Sequence, residues 1–446
     1  MLKTPFTRTA SSPVPDRQEQ GLLLGWNEGV SSASSGFMPD VTPSDDQTGP
    51  VAYKGDSHLI TCAPTGSGKG RGVLIPNLLR YHGPVIVVDV KGELFQVTNR
   101  RRSELGNEVV VLDPFNLVTT RSDGLNPLDL LGLPRSDGDS DAEMLASLLA
   151  VGNEYKTDPF WTTMANGLIA ALVAHIASFS QKERHLGHLR RCLFHQDLEM
   201  EIAKMLDKGV VKSRMAREQF IAYLSAPPQQ TRPSIRAMAS SYVSALGSGQ
   251  VVKCLQASSF RLQDVYDGRP LSIYIVIPPD KLDSHRALIR LWVGTLLTTI
   301  TRRTTMPRQR TLFLLDECAQ LGTLPILRQA ITLLRGSGLQ TWSFWQDWSQ
   351  LRSLYPTDWQ TILNNSGVIQ IFGISNHGMA RECSEVTGQS TEVFDGLARE
   401  DAVVVRQGQG SIVCRRPDYL KDEAFNGLFD ANPRFGLQGQ PGQGRF

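Results

Sequence analysis

The sequence predicts an α/β fold, a mostly parallel central sheet into which an all-α domain is inserted. Three observations predict it. The runs PVIVVDV (84–90), EVVVL (108–112) and LSIYIVI (271–277) are apolar at successive positions, as in parallel strands buried on both faces. A Gly-rich loop stands between a first strand and a first helix, and a second strand follows, which is the order of a βαβ unit. Between residues 133 and 256 such runs disappear, and Ala, Leu, Met, Glu and Arg recur at helical spacing.

Residues 1–50 are rich in Ser, Pro, Gly and Asp and read as a flexible N-terminal arm. The first part of the α/β domain, 51–132, holds a strand at 59–63, the Gly-rich loop, a helix over about 70–81, and strands at 84–90 and 108–112. The all-α domain occupies 133–256. Within it, SAPPQQTRPS (225–234) reads as a loop or hinge, because three prolines do not fit a helix interior. The second part of the α/β domain, 257–430, supplies a strand at 271–277, an amphipathic helix over 288–302, and strands at 311–315, 339–344 and 368–372. The Gly- and Gln-rich end, 431–446, reads as a disordered tail.

Composition narrows the function. Across 446 residues the formal net charge is only +2, so any nucleic-acid contact has to come from local placement of Arg and Lys. The six cysteines form no CxxC pair and the eight histidines show no ligand spacing, which argues for reduced thiols and against a His/Cys metal site. The N-terminus has no apolar signal segment. The most membrane-like stretch, 160–179, carries Asn166 and His175 and reads as a buried helix rather than a span.

The first chemical motif is Ala63-Pro64-Thr65-Gly66-Ser67-Gly68-Lys69-Gly70. It matches the core of GxxxxGK followed by Ser or Thr. In such a loop the N–H groups point inward around phosphate oxygens, glycines permit the backbone angles, and Lys69 sits between the β- and γ-phosphates. The following helix adds its N-terminal dipole. Gly70 stands where Ser or Thr ordinarily ligates Mg2+. Water, Thr65, Ser67 or a carboxylate elsewhere has to take that place.

The second motif is the apolar strand 311–315 running into Asp316-Glu317, a Walker B arrangement. Asp316 would hold the Mg2+ shell and Glu317 would polarise the attacking water. An acidic turn after a strand is common, and the upstream lysine loop is what makes this one specific. Gln346, just beyond the strand 339–344, is placed equally well for sensing a γ-phosphate or for simple solvation. Arg335, on a Gly-containing loop, is placed equally well as an arginine finger or as a surface residue. Asp89, Lys91 and Glu93 end the second strand and share the loop's sheet edge. The runs Arg100-Arg101-Arg102 and Arg302-Arg303 read by default as solvated faces, and only a channel-lining position would make them a grip on DNA.

Seven segments together resemble the coupling proteins of bacterial conjugation and type IV secretion. They are APTGSGKGRGVLIPNLL (63–79), VVDVKGELFQVT (87–98), DPFN (113–116), LNPLDLL (125–131), DPFW (158–161), LLDECAQLGTL (314–324) and WQDWSQLRSLYP (345–356). They run in collinear order between about residues 50 and 425, and glycine at position 70 is typical of that family. The resemblance implies a RecA-like P-loop nucleotide-binding domain, an all-α domain facing the cytoplasm, and a homo-hexameric ring with a central channel. It implies ATP and Mg2+ as cofactors, and single-stranded DNA or a relaxase–DNA complex as cargo. Carried onto this sequence, it gives Thr65, Gly66, Ser67, Gly68, Lys69 and Gly70 as the phosphate cradle and Asp316 as the Mg2+ residue. It likewise gives Glu317 as catalytic base, Gln346 as γ-phosphate sensor and Arg335 as a finger acting in trans.

Most members of that family begin with two transmembrane helices, and this sequence shows none. Either the sequence is a truncated form or it is a soluble variant; the expectation is a soluble, cytoplasmic form recruited to the inner face of the inner membrane. A membrane-anchoring protein would then attach it, and the channel ATPases of type IV secretion would be its partners. Two other readings stay open: a free cytosolic RecA-like DNA translocase or helicase, and a degenerate loop that binds nucleotide as a switch.

Overall fold

The computed structural model describes residues 21–28, 48–150, 158–333 and 335–433. Its strands in chain order are β1 (Leu22–Asn27), β2 (Gly49–Tyr53), β3 (His58–Cys62), β4 (Val85–Asp89), β5 (Glu108–Leu112) and β6 (Leu271–Val276). They continue with β7 (Thr311–Leu315), β8 (Leu339–Trp345), β9 (Ser366–Ile371), β10 (Asp401–Arg406) and β11 (Gly410–Arg415). All eleven join one sheet in the order β2-β1-β11-β10-β9-β3-β8-β7-β4-β6-β5. From β9 to β5 every neighbouring pair is parallel, and from β9 to β2 every pair is antiparallel.

The apolar runs are continuous because both faces of the sheet are covered. In β4, Ile86 and Val88 enter one core while Val85 and Val87 enter the other. In β7, Phe313 and Leu315 go one way and Leu312 and Leu314 the other. One face carries α1 (Ile75–Arg80) and α2 (Glu93–Glu104). The opposite face carries the helix Arg286–Thr301 and, beyond it, the helical insert between β5 and β6. Arg286–Thr301 lies close to α3 (Gly138–Leu149), the insert's first helix, because Gly294 has no side chain. A Cβ there would stand 2.4 Å from Leu148.

The insert's helices follow local signals. Asp137 caps α3, accepting from the Ser140 N–H, and acids fill its first turn. Asp158 caps α4 (Pro159–Ala177), with Pro159 at its first position, where no N–H is needed. Among the described residues α4 is the helix long and apolar enough to cross a membrane. Here it is the insert's core. Leu168, Ile169, Leu172, Val173 and Ile176 are buried, and α4 packs on α3, Arg214–Ser225 and Thr231–Tyr242. Pro233 lies in the first turn of Thr231–Tyr242, so only part of the proline segment is loop.

Three sequence expectations need correction. Residues 22–27 belong to the sheet rather than to a flexible arm. Leu22, Leu23 and Leu24 are buried, and Asn77 on α1 accepts from the Leu23 N–H (2.8 Å) and donates to its carbonyl (2.9 Å). The rest of that arm falls mostly outside the described residues. At the other end, docking continues into the stretch assigned to the tail, since buried Asn432 donates to Glu93 (2.8 Å); residues 434–446 lie outside the described residues. Within the basic runs Arg102 and Arg303 are structural rather than solvated, while Arg100, Arg101 and Arg302 stay partly exposed. Arg102 is fully buried and bonds to Ser272 Oγ and to the carbonyls of Leu78, Tyr81 and Gly83. Arg303 is buried on the Val265 and Tyr266 carbonyls, Arg302 pairs with Asp141, and Arg100 pairs with Asp430 and Glu104.

Candidate nucleotide site

The sheet's strand order assembles the site. β8 lies between β3 and β7, with Cys62 opposite Trp345 and Leu315 opposite Ser343. The residues just beyond the three strand ends therefore meet at one edge. These are the loop after β3, Asp316-Glu317 after β7 and Gln346 after β8.

The loop starts with the Ala63 N–H bonded to the Trp345 carbonyl (2.9 Å). Gly66 and Gly68 adopt φ of 79° and 92°, in the left-handed region that glycine tolerates. Gly70–Leu74 then forms a widened, π-type first turn, in which the Ile75 N–H reaches back to the Gly70 carbonyl. Such turns are frequent at functional sites. Lys69 is buried inside the loop, and its Nζ donates to the Ala63 carbonyl (3.0 Å).

Lys69 Nζ also lies 3.6 Å from Glu317 Oε1, and Gln346 Nε2 donates to Glu317 Oε2 at 2.7 Å. Gln346 is itself fixed from the following helix, Trp348–Leu354. Asp347 caps that helix, and the Gln350 side chain accepts from the Gln346 N–H (3.0 Å). Glu317 adopts φ 56°, ψ 52°, a left-handed conformation that costs a non-glycine residue about 1–3 kcal/mol. This strain turns its carboxylate toward Lys69 and Gln346. Without the turn, Asp316 and Glu317 would project to opposite sides of a strand.

Asp316 is half-buried. Burial, then the charges of Glu317 and Asp89, push its carboxyl up to about 7, against the pull of Lys69 and Lys91. Asp89, at the end of β4, is pushed up to about 6 by burial, although it accepts the N–H groups of Phe95 and Lys91. Crowded acids beside a buried lysine fit a divalent cation, whose charge would relieve them. The loop has no hydroxyl turned inward for it. Ser67 Oγ donates to the Pro64 carbonyl (2.6 Å) and Thr65 is exposed. A Cβ at Gly70 would meet nothing within 4 Å, so glycine there is not a steric necessity.

Arg335 is not brought to this edge. It precedes β8, at the opposite end of the parallel strands, and its Nε donates to Asp56 Oδ1 (2.9 Å). Burial of Asp56 pushes the other way, yet Arg335 holds that carboxyl below its usual range. Sequence reasoning missed the segment that flanks the loop's other side. Arg416, after β11, donates to the Ser67 carbonyl at 2.7 Å. The run DAVVVR followed by Gln-Gly-Gln-Gly was the available signal for the β10–β11 hairpin that carries it.

The fold is shared with TrwBdeltaN70, a bacterial conjugative coupling protein crystallised with sulphate. The TM-score is 0.63 at 16% identity, over 81% of this chain and 85% of that one. It is shared also with TrwB in complex with ADP and Mg2+ (TM-score 0.61, 15% identity, 81% and 86% of the two chains). VirB4 of Thermoanaerobacter pseudethanolicus aligns over 91% of this chain and 98% of its own, with a TM-score of 0.56 at 12% identity. Among curated proteins, the conjugal transfer protein TraG of Escherichia coli is 26% identical over 78% of this chain and 57% of its own length. Protein VirD4 of Rhizobium rhizogenes is 30% identical over 84% of this chain and 60% of its own. The chain thus spans about three-fifths of the curated relatives it matches. The sequence profile for type IV secretory system conjugative DNA transfer matches residues 37–411, taking in the loop, the Asp-Glu pair and Gln346, and the chain belongs to that family.

Proposed function

We propose that this chain hydrolyses ATP as one subunit of a hexameric ring and spends the energy driving DNA, as single strand or relaxase–DNA complex, toward a type IV secretion channel. The convergence of Lys69, Glu317 and Gln346 at one sheet edge carries the reading. Membership in a conjugative DNA transfer family supplies the cargo class.

In this reading the inward N–H groups of Thr65 to Gly70 hold the β- and γ-phosphates, and Lys69 balances their charge. Its ammonium now rests on the Ala63 carbonyl and near Glu317, and phosphate oxygens are stronger partners for it than either. Glu317 accepts the proton of the attacking water. Gln346 orients that carboxylate and is within reach of a γ-phosphate in the loop, so its hydrogen bond can report whether one is present. Asp316 would hold Mg2+, which when bound would neutralise negative charge on the phosphates. Arg335, at the opposite sheet edge, would serve the site of a neighbouring subunit. The chain would work at the cytoplasmic face of the inner membrane, with channel ATPases and a membrane-anchoring protein as partners.

The test is ATP hydrolysis by the chain and by Glu317→Gln, with and without single-stranded DNA. DNA-stimulated turnover that Glu317→Gln abolishes is the expected result. A chain that binds ATP yet never turns it over, with DNA present or absent, would sink the motor and leave a nucleotide-gated switch.

A further inference from the structure

The carboxylates fix which way a nucleotide lies. The γ-phosphate end faces Glu317 and Gln346, on the β8–β7 side of the loop. The α-phosphate and nucleoside therefore leave on the other side, toward β9–β11. A cavity of about 710 Å³ opens there, lined by the glycines of the loop, by the cations Arg71, Arg399, Arg416 and Lys421, and by the acids Glu400 and Asp418.

Two arginines in this region have their charge satisfied by carboxylates. Arg71 holds Asp418 with two hydrogen bonds of 2.6 Å, and Arg415 pairs with Glu28 and Asp422. Arg416 differs. Its two hydrogen bonds go to main-chain carbonyls, those of Ser67 (2.7 Å) and Arg399. Its Nε is buried and makes no hydrogen bond among the described residues. Its guanidinium lies 4.3 Å from the centre of the Phe372 ring, which fixes its plane. It stands against the loop itself, since a Cβ on Gly68 would lie 3.3 Å from its Nη1 and one on Gly72 3.4 Å. A partly buried cation resting on neutral carbonyls at the mouth of a phosphate loop gains most from an anion.

We infer that Arg416 is a nucleotide-binding residue supplied by the same subunit. It braces the outer side of the phosphate loop through Ser67 and offers its guanidinium to the α-phosphate side of a nucleoside triphosphate. Loading the site would then tighten the β10–β11 hairpin onto the loop. This rests on the ATP-binding reading above, and it adds a residue outside every motif that announced that reading.

The test compares Arg416→Ala, Arg416→Lys and Lys69→Ala by titration with N-methylanthraniloyl-ATP and by steady-state hydrolysis. Arg416→Ala is expected to weaken nucleotide binding about tenfold or more and to raise KM similarly, with kcat within about threefold, because the γ-phosphate end is untouched. Arg416→Lys should recover part of the affinity, through charge without the planar fork. Hydrogen exchange on the unmodified chain needs no variant. The nucleotide analogue should protect residues 399–421 together with 64–74. Protection of 64–74 alone, or unchanged affinity in Arg416→Ala, would overturn the role of Arg416 and leave ATP binding standing. No binding by the unmodified chain would remove both.

Discussion

Gln346 donates its side-chain amide to Glu317, Nε2 to Oε2 at 2.7 Å, across the gap between the ends of β8 and β7. The contact ties the residue that can face a γ-phosphate to the residue that can take the water's proton. A leucine at position 346 would keep the bulk and lose the donor. Gln346→Leu should lower kcat by about 10–100-fold, less than loss of a general base, commonly worth about 10²–10⁴-fold. ATP affinity should hardly change, because Lys69 and the loop remain. Hydrolysis rates alongside nucleotide titration decide it. A variant that loses affinity and keeps kcat would make Gln346 a binding residue instead.

Arg335 and Lys69 occupy opposite edges of the same sheet, so a trans role makes a sharp expectation. Arg335→Ala and Lys69→Ala should each be nearly inactive alone, a finger being worth about 10³-fold or more. Mixed, they should recover activity at interfaces where an intact loop meets an intact Arg335. Loss of the exposed Arg335–Asp56 pair should cost the fold under about 1 kcal/mol, so misfolding would not explain the result. Recovery absent at every mixing ratio would count against the trans role.

The parallel strands were legible because they are largely apolar runs, and β3, β7 and β8 lead into the residues proposed for the site. β4, β5 and β7 fall within a residue of the stretches expected for them. The antiparallel half was not. β1 is an isolated LLLGWN in a polar context, and its partners β2 and β11 are distant in sequence. No local signal says that Asn77 will bond to Leu23. Arg416 was illegible for a related reason. Its proximity to Ser67 arises from a hairpin returning across the sheet, and spacing along the chain does not encode it. Arg102 misled because sequence shows the charge and hides the three carbonyls and one hydroxyl that hold it in the core.

His58, at the start of β3, is buried, and its Nδ1 accepts from the Thr341 N–H (3.0 Å). Burial first, then the Arg335 charge, push its pKa down to about 4, while Asp56 pulls weakly the other way. Above about 6.5 the imidazole is neutral in both folded and unfolded chains. Between 6.5 and 4 only the unfolded chain takes the proton, so stability falls as pH falls. The loss should be about 2 kcal/mol by pH 5 and about 3 kcal/mol at pH 4. Urea unfolding midpoints of the chain and of His58→Asn, compared from pH 7.5 to 5, test this. The variant should show the shallower pH dependence, and parallel curves would exclude His58 as the source.

Asn77 is the hinge between the missed strand and the phosphate loop. Its amide donates to the carbonyls of Leu23 and Val73, both at 2.9 Å, and its oxygen accepts from the Leu23 N–H. Val73 lies in the π-type turn that follows Lys69, so one side chain joins β1 to the loop's own helix. Asn77→Ala leaves the Leu23 groups buried and unmatched on that side, at a cost of about 1–3 kcal/mol. β1 should open more readily, with faster amide exchange over residues 22–27, while the parallel core keeps its protection. If β1 also steadies the loop, exchange over 70–75 should rise with it and ATP affinity should fall modestly. Faster exchange in 22–27 alone would make β1 a passive cover, and unchanged exchange in both would show that the sheet register holds β1 without Asn77.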